Sequence, residues 1–378
     1  MDFNHSEDRQ MLASTLGRYL QQRYPIETRH AISEAAAGWS DTHWLALAEL
    51  GIVGALFEEA AGGFGGSGFD AAVVFELFGR ALVVEPFLGV AMAGHALANA
   101  GGDMQLLSSV IDGSTVLAFA HEEQDSHYAL THVATTATQL SAGWRLQGAK
   151  AAIPQLGAAD KLVVSARIGG DVRDEAGIAL FLVDKTAEGL STREYPMIDG
   201  GRGGELRLDD VPAMLVAENA LPLIEGATAF GIVALAWEAV GIMDMLKEST
   251  LEYLRTRQQF GVAIGKFQAL QHRMATIALE IEQARSSAIN AADALTADRR
   301  SRELAVSAAK FTVGRVGTLV AEEAIQLHGG IGMTWELPLS HYAKRLVMIG
   351  HQLGDEDHHL ARYIGLSTQL NESAIEAY

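Results

Sequence analysis

The sequence predicts an α+β fold in three parts: an N-terminal helical domain, a middle β-barrel-like domain and a C-terminal four-helix bundle. Three observations support this prediction. Apolar residues recur at helical spacing up to about Gly113, and short segments rich in Val, Ile and Thr follow. After Pro222 the helical spacing returns in longer runs. The predicted domains are therefore residues 1–113, 114–222 and 223–378.

The N-terminal domain begins with a helix whose apolar positions are Met11, Leu12, Leu16 and Leu20. A glycine-rich segment, EEAAGGFGGSGF at residues 58–69, interrupts the helices as a loop, and a further helix is predicted over about 70–83. Such a loop could cradle a phosphate. No Lys-Ser/Thr pair follows it, which favours a plain connection between helices.

The middle domain consists of short β-segments separated by turn residues. They read TVLAFAHE, HVATTATQL, WRLQGAKAAI, KLVVSARI and IALFLVDK, and the pattern runs to about Glu218. The bundle helices are predicted over about 223–256, 266–297, 301–327 and 338–363. Residues 227–246 are almost long enough to span a bilayer. Because Glu238 and Asp244 interrupt them, a helix buried in a bundle is predicted and membrane insertion is not.

Composition narrows the class of protein. The chain has 378 residues, 49% of them hydrophobic, and a formal net charge of -19, which opposes binding to nucleic acid. It has no cysteine, so thiolate chemistry and disulfides are excluded. The polar, acidic amino terminus lacks the features of a signal peptide, and a cytoplasmic location is expected.

Two glycine-containing turns carry the strongest functional signal. The segment RTRQQFGVAIGKFQALQHRMA, residues 255–275, places arginines beside a Phe-Gly break between helices. Arginine suits a pyrophosphate because its planar fork of donors matches phosphate oxygens. The segment IQLHGGIGMTWE, residues 325–336, places a double glycine at the end of a helix, where the missing Cβ permits close approach of a ligand.

Together these turns resemble the acyl-CoA dehydrogenase family. The matching motifs are R-x-Q-F-G-x-x-I-x-x-F-Q, Q-L-H-G-G-x-G and, in the first domain, LGIVGALFEEAAGGFGG. The resemblance implies FAD as cofactor, with its ADP half held by the two turns of a neighbouring subunit. The implied FAD contacts are Arg257, Gln259, Phe260, Gln326, Gly329 and Gly330, with Phe267 and Gln268 as secondary candidates.

The catalytic positions depart from the family pattern. The chain is most similar to the small subunit of two-component enzymes that act on pimeloyl-CoA or on steroid side-chain thioesters. The glutamate that removes the α-proton in single-component relatives is replaced by Leu353, and the family's other base location holds Gly231 and Ile232. Where relatives place a tryptophan and a threonine against the flavin, this sequence has Ala152 and Pro154.

The resemblance therefore implies the FAD-binding subunit of a heteromeric acyl-CoA dehydrogenase. A larger paralogous chain would supply the base and the flavin-ring pocket in a heterotetramer. The substrate would be an acyl-CoA thioester, dicarboxylic or steroid-derived, and an electron-transfer flavoprotein would accept the electrons.

Alternatives remain open. An active homo-oligomer would need a relocated base, for which Asp355, Glu356, Glu238 and Asp244 are the candidates. A scaffold that kept the fold and lost the reaction is the other alternative.

Three pairs of residues near the C-terminal end are given structural roles. Asp355 and Glu356 are better explained as an acidic helix start than as a base. His358 and His359 are adjacent and would not face one metal ion, so no metal site is predicted. Trp335 and Glu336 are expected to close the glycine turn and begin the last helix.

Overall fold

The computed structural model describes residues 6–141 and 143–375 and confirms the α+β class. The α-helices are α1 (Glu7–Arg23), α2 (Ile26–Glu34), α3 (Asp41–Glu49), α4 (Gly68–Ala81), α5 (Phe87–Asn99), α6 (Met104–Ile111), α7 (Leu221–Thr256), α8 (Gln268–Ala294), α9 (Arg299–His328), α10 (Leu339–His351) and α11 (Glu356–Ile375). The strands are β1 (Leu117–Ala120), β2 (Thr136–Leu140), β3 (Gly143–Pro154), β4 (Lys161–Arg167), β5 (Ile178–Asp184), β6 (Leu190–Pro196), β7 (Arg202–Ala217), β8 (Gln258–Gln259) and β9 (Val262–Ala263).

The chain divides into two compact units. The bundle unit comprises the described residues of Met1–Ile26, Ala71–Val83 and Ile232–Tyr378. The barrel unit comprises Glu27–Asp70 and Val84–Gly231. The three-domain division into 1–113, 114–222 and 223–378 stays a prediction.

The barrel unit is organised around a sheet that closes on itself. The strand order is β1-β4-β2-β3-β7-β5, and β5 also pairs with β4, so the last strand returns to the second. Inward-facing side chains fill the interior, because residues alternate between the two faces of a strand. Those that are almost fully buried include Leu146, Leu162, Val164, Phe181, Leu206 and Val211.

A buried polar network in the barrel unit involves strands β3 and β4 and the segment between β1 and β2. Lys150 Nζ donates to Glu123 Oε1 at 2.7 Å and to Ser165 Oγ at 2.9 Å. Glu123 also accepts from the Thr135 hydroxyl at 2.7 Å. Burial raises the pKa of Glu123, but the charge and hydrogen bonds of Lys150 and the Thr135 bond outweigh it and lower that pKa to about 2. The network stays charged because each buried charge has a partner.

The bundle unit is organised around α9, which packs against α8, α10 and α11. The predicted helix over 338–363 is wrong as one element: the structure has α10 and α11 with a break between them. In the break, Leu353 has φ 57° and Gly354 φ 110°, values that no α-helix contains. The Asp355 carboxylate then accepts from His358 N at 2.9 Å, which caps the start of α11.

Helices α4 and α7 approach closely through two glycines. A Cβ atom at Gly79 would lie 2.0 Å from Glu238 O, and one at Gly241 would lie 2.0 Å from Glu76 O. Because residue 79 meets 238 and residue 76 meets 241, the two helices run antiparallel at this crossing. Only glycine permits such a separation.

Helix α7 is buried, as its interrupted apolar segment predicts. By length and composition α7 and α9 could each cross a membrane. Of the most apolar window, 94% is buried in α7 and 61% in α9. Burial of this kind is typical of core helices rather than of lipid-facing ones.

Candidate functional site

The first predicted turn is a tight β-hairpin that follows α7. Strands β8 and β9 pair Gln259 with Val262, which leaves Phe260 and Gly261 as the two loop residues. Their φ values are 53° and 80°, and both are left-handed, as a type I′ hairpin turn requires. Glycine accepts this conformation freely, whereas phenylalanine at Phe260 carries a steric cost.

Phe260 is 90% exposed at the tip of the hairpin. Its ring contacts only the partly exposed ring of Phe267 in a T-shaped arrangement, with 6.2 Å between centroids, among the ring contacts of the described residues. Neither the fold nor the turn type requires an aromatic residue here. Its exposure suits contact with a ligand or another chain.

The second predicted turn begins where α9 ends. Gly329 has φ 68° and ψ -145°, a combination that is essentially restricted to glycine. A Cβ at Gly329 or Gly330 would meet no described atom within 4 Å. One at Gly332 would lie 2.7 Å from Ile325 O. Gly332 thus serves internal packing, while Gly329 and Gly330 present bare backbone to open space.

Both turns lie at the same end of the bundle unit. The ring of Tyr253, near the end of α7, stacks on His328 at the end of α9 with 4.5 Å between centroids. Arg273 pairs with Glu323, and Arg315 pairs with Glu280 at 2.6 Å, so α8 and α9 run antiparallel. The start of α8, at Gln268, is therefore close to the end of α9, near the exposed Gln326.

The end that carries the turns has unusual electrostatics for so acidic a chain. Residues 253–279 contain three arginines, one lysine and no carboxylate. Arg255, Arg257 and Lys266 are exposed and form no ion pair within the residues that the structure describes. Elsewhere in the bundle unit Arg285, Arg315, Arg345 and Arg362 each pair with a carboxylate. The absence of carboxylates was readable in the sequence, but the absence of partners was not.

The surface beside the glycine turn is apolar. Met333 is 75% exposed, Trp335 60% and Ile331 48%. Lys344 Nζ lies 3.9 Å from the centre of the Trp335 ring, a cation–π contact. The expectation that Trp335 and Glu336 begin the last helix is wrong, because α10 starts at Leu339, directly after Pro338, which favours the first helical turn.

Two of the carboxylates proposed as relocated bases are held in ion pairs. Glu238 receives two hydrogen bonds from Arg345, at 2.6 and 2.8 Å. Asp244 pairs with Lys247 at 2.6 Å and with Arg285. Their burial and pairing favour structural roles, since removing one partner of a buried ion pair leaves an uncompensated charge.

Asp355 and Glu356 serve the break between α10 and α11. Asp355 caps α11, and the Glu356 side chain lies against Gly314 of α9, where a Cβ would be 3.0 Å from its Cγ. Both are half-buried. These contacts agree with a helix start.

The backbone around Leu353 is fixed by buried donors. Lys310 Nζ donates to Gly354 O at 2.6 Å and to Gly350 O at 3.0 Å. His359 Nε2 contacts Leu353 O at 2.9 Å. Burial lowers the pKa of His359 to about 3, so the ring is neutral and donates from Nε2. The apolar side chain of Leu353 thus lies in the break between α10 and α11, and three polar contacts hold the backbone of that break in place.

The other positions at which the family resemblance predicts a base or a flavin contact hold residues without ionisable groups. Gly231 and Ile232 are buried in α7. Ala152 has φ 53° within an irregularity of β3 between Lys150 and Ile153, and Pro154 ends the strand. Gln155 follows and donates from its amide to Val84 O. The β3 end offers no hydroxyl at Ala152 or Pro154.

The glycine-rich loop at 58–69 is a packed connection. The backbone N–H groups of Gly63, Phe64, Gly65 and Gly66 donate to carbonyls of residues 54–58. They are therefore unavailable to a phosphate. Among the described residues no cluster of three His, Asp or Glu could hold a metal ion, and the rings of His358 and His359 meet edge to face at 5.0 Å.

Comparison with known proteins identifies the class to which this fold and these turns belong. The chain matches the acyl-CoA dehydrogenase N-terminal domain over residues 6–107 and the acyl-CoA dehydrogenase C-terminal domain over residues 221–359. The chain belongs to the acyl-CoA dehydrogenase family, whose members are FAD-dependent oxidoreductases that act on acyl-CoA.

Individual relatives agree along nearly the whole chain. Acyl-CoA dehydrogenase IpdE2 of Mycobacterium tuberculosis is 30% identical over 344 residues, 90% of this chain and 91% of that protein. A solved variant of the Tcur3481-Tcur3483 steroid ACAD is 31% identical, with a TM-score of 0.88 over 97% of this chain and 99% of that one. Butyryl-CoA dehydrogenase of Megasphaera elsdenii, 23% identical, shares the fold with a TM-score of 0.88 over 97% of this chain and 99% of its own.

The residues fit one half of the family's cofactor better than the other. Arg257 forms no ion pair with any residue that the structure describes, and the backbone at Gly329 and Gly330 is open, so these residues suit the pyrophosphate and ribose of FAD. Ala152 and Pro154 give the flavin ring no side-chain hydrogen bond. The residues of the bundle unit therefore fit the ADP half of FAD.

Proposed function

We propose that this chain is the ADP-binding subunit of a two-component acyl-CoA dehydrogenase, with the catalytic base and the flavin-ring pocket supplied by a larger paralogous chain. The observation that carries the proposal is that one chain keeps the cofactor-binding turns and lacks a residue that could act as the base. The arginine and double-glycine turns are complete and open, while Leu353, Gly231 and Ile232 occupy the positions of the base.

The reaction explains why the missing base is decisive. Bound FAD would accept a hydride from the β-carbon of the thioester, and a carboxylate must remove the α-proton. Leucine cannot accept a proton, and loss of a general base costs about two to four orders of magnitude in rate. In the proposed assembly Arg257 binds pyrophosphate oxygens, and Gly329 and Gly330 let the adenosine end approach the backbone.

Several finer assignments accompany the proposal. The acyl group is dicarboxylic or steroid-derived, and the name of the 31%-identical relative, a steroid ACAD, favours the latter. That relative's name also pairs two proteins, which supports a hetero-oligomer. An electron-transfer flavoprotein accepts the electrons, and the complex is cytoplasmic.

The test is the flavin content of the chain expressed alone and co-expressed with a neighbouring paralogue, measured by absorbance. We expect stoichiometric FAD only in the mixed complex, at about one per pair. Arg257→Ala should lower it, because the pyrophosphate loses a charged contact. Arg18→Ala, which removes an exposed arginine of α1, is the matched control and should leave it unchanged.

The two alternatives give different results. A lone chain that binds a full complement of FAD and is bleached by an acyl-CoA would establish an active homo-oligomer, and the base would then be sought among Glu238, Asp244, Asp355 and Glu356. A chain that neither binds FAD nor raises the flavin content of a paralogue would be a scaffold.

A further inference from the structure

A cavity of about 310 Å³ lies within the barrel unit, at the carboxyl end of α5. It is enclosed by residues 56–66, which include the first part of the glycine-rich loop, by the end of α5 and by the start of α6. Its lining includes Leu56, Phe57, Glu58, His95, Ala98 and Leu107. None of the FAD contacts or base candidates lines it.

We propose that this cavity binds an organic ammonium ion, a primary amine that carries a short apolar body. The inference goes beyond the proposed function, because it uses neither the two turns nor the positions of the base. Each of the two proposals can therefore fail without the other.

The charge of the lining selects a cation. Glu58 is the only Asp, Glu, Lys or Arg residue in the lining, and it forms no ion pair within the residues that the structure describes. Gly66 lets the side chain of Glu58 lie beside the cavity, because a Cβ at residue 66 would be 2.8 Å from Glu58 Cγ. An ammonium group suits this carboxylate, since it supplies both a positive charge and hydrogen-bond donors.

No basic residue of the surrounding chain competes for Glu58. The barrel-unit residues 30–70 and 84–144 contain twelve carboxylates and no lysine or arginine. Helix α5 has no basic residue in its last turn, so no side chain compensates the negative end of its dipole. The start of α6 is capped by the Asp103 carboxylate, which accepts from Gln105 N at 2.8 Å. The local field therefore favours a cation and opposes an anion.

The walls select a short apolar body attached to the cation. Leu56, Phe57 and Leu107 are almost fully buried and form the apolar part of the lining. Glu58, in contrast, is exposed, so the charged part of the lining faces solvent. A cavity of this size, with apolar walls and a few polar groups, is typical of small-ligand sites. The ammonium group would lie at the exposed side and the apolar body against the buried walls.

One wall is fixed by contacts within the barrel unit. The ring of His95 stacks on Phe230 with 5.3 Å between centroids. A Cβ at Gly226 would lie 3.4 Å from His95 Nε2, so the ring also packs against the backbone of α7. Asn99 Nδ2 donates to His95 O at 2.9 Å. Because this wall is already ordered, binding does not require the chain to rearrange there.

The experiment is a calorimetric titration of the purified full-length chain with 2-phenylethylamine and with 2-phenylethanol, its uncharged counterpart of nearly equal size. We expect the amine to bind about fivefold more tightly or better, because only the amine can pair with a carboxylate. The comparison uses the unaltered chain and does not depend on the folding of a variant.

Three variants separate charge from space. Glu58→Gln removes the charge and should reduce the preference for the amine to about twofold or less. Glu59→Gln, which removes the adjacent exposed carboxylate outside the lining, is the matched control and should keep the preference. Ala98→Leu fills the cavity, leaves Glu58 in place and should weaken the binding of both compounds about tenfold or more. Urea unfolding checks that each variant is folded.

A further probe distinguishes the two sources of an ammonium group. Nα-acetyl-lysine methylamide carries the group on a peptide, as a lysine side chain of another protein would. We expect it to bind more weakly than 2-phenylethylamine, which would identify a free amine as the ligand. Tighter binding would identify a lysine of another chain, and it would equally support recognition of an ammonium ion.

Three results would overturn the proposal: no binding of 2-phenylethylamine at millimolar concentration, equal binding of the amine and the alcohol, or a preference for the amine that Glu58→Gln leaves unchanged. None of them bears on the flavin content of the mixed complex. Conversely, Arg257→Ala, which tests the proposed function, should leave the amine titration unchanged.

Discussion

Three glycines in one short segment have different physical roles. Gly329 adopts a backbone conformation that other residues do not reach, Gly332 lies against Ile325 O and the His328 side chain, and Gly330 is constrained by neither. Gly330 is not left-handed, and open space surrounds its Cα. A methyl group at Gly330 would therefore affect only what approaches from outside.

We expect Gly332→Ala to destabilise the chain, because its Cβ would lie 2.7 Å from Ile325 O. We expect Gly330→Ala to change the free energy of unfolding by no more than about 0.5 kcal/mol. Gly330→Ala should nevertheless lower the FAD content of the mixed complex. Urea unfolding and flavin absorbance measure the two effects separately. Full flavin content in Gly330→Ala would argue against close approach at this turn.

Sequence reasoning predicted the hairpin and glycine-turn residues but not their electrostatic state. Arg257 was identified through its motif, whereas the unpaired state of Arg255 and Lys266 depends on where carboxylates from other helices lie. Glu238 and Asp244 illustrate the same limit. Their positions in the sequence permit a catalytic role, but in the structure each carboxylate pairs with an arginine that is distant in sequence, Arg345 and Arg285 respectively.

At the scale of elements, the break between α10 and α11 shows how a long helix can be misread. Residues 338–363 keep helical spacing throughout, so periodicity alone predicts one helix. The signals that end α10 were present, since Gly354 is followed by Asp355, a favoured capping residue. The contacts of Lys310 and His359 that hold the break come from α9 and α11 and could not be read locally.

The crossing of α4 and α7 permits a prediction about helix packing. Gly241→Ala should destabilise the chain by about 2 kcal/mol or more, because its Cβ would lie 2.0 Å from a backbone oxygen that cannot rotate away. Gly350→Ala, in α10, is the control: no described atom lies within 4 Å of its Cβ, and alanine favours the helix by about 1 kcal/mol. Equal effects of the two substitutions in urea unfolding would contradict the close crossing.

The buried pair in the barrel unit gives a second prediction. Lys150→Met should cost about 3–5 kcal/mol, because it leaves the Glu123 carboxylate buried without its cation. Lys161→Met removes an exposed partner of Asp184 and should cost no more than about 1 kcal/mol. Denaturant unfolding of both variants provides the measurement. A small loss in Lys150→Met would show that Glu123 is protonated or hydrated in the native barrel.

At the scale of the whole molecule, acid stability follows from three buried groups. Burial lowers the pKa of His121 and of His359 from 6.5 to about 3, with the charge of Lys150 adding to the effect at His121. The pKa of Glu123 falls from 4.5 to about 2. In each case the unfolded chain binds a proton at a higher pH than the folded chain does. The stability that each group contributes is therefore fully present above the pKa of that group in the unfolded chain, and it is lost as the pH falls towards the pKa in the folded chain.

We expect the free energy of unfolding to decrease from about pH 6.5 downwards, first through the histidines and below about pH 4.5 also through Glu123. His359→Gln should reduce the slope between pH 6 and pH 4 by up to about 1.4 kcal/mol per pH unit, the effect of one proton. Unfolding at several pH values tests this. An unchanged slope would mean that His359 titrates normally in the folded chain.

The order of helices and strands was the most predictable feature of the molecule. Each change of periodicity along the chain, near Ser114 and near Pro222, coincides with a change of element type in the structure. Hydrophobic spacing records which face of an element is buried, so it predicts element type. It does not record ion pairs, open backbone or cavities, because these depend on residues far apart in sequence.

The isolated cations at the hairpin also affect how fast an anion can reach them. In dilute buffer, where the screening length is about 30 Å at 0.01 M salt, an approaching flavin nucleotide meets the field of a chain with net charge -19 and is repelled; at physiological salt that field is largely screened beyond about 8 Å. Attraction to Arg257 acts only at shorter range. Moderate salt should therefore speed association by weakening the long-range barrier, even as it loosens the final complex. We therefore expect the flavin nucleotide to associate more slowly in dilute buffer than at the ionic strength of a cell, because the chain is acidic.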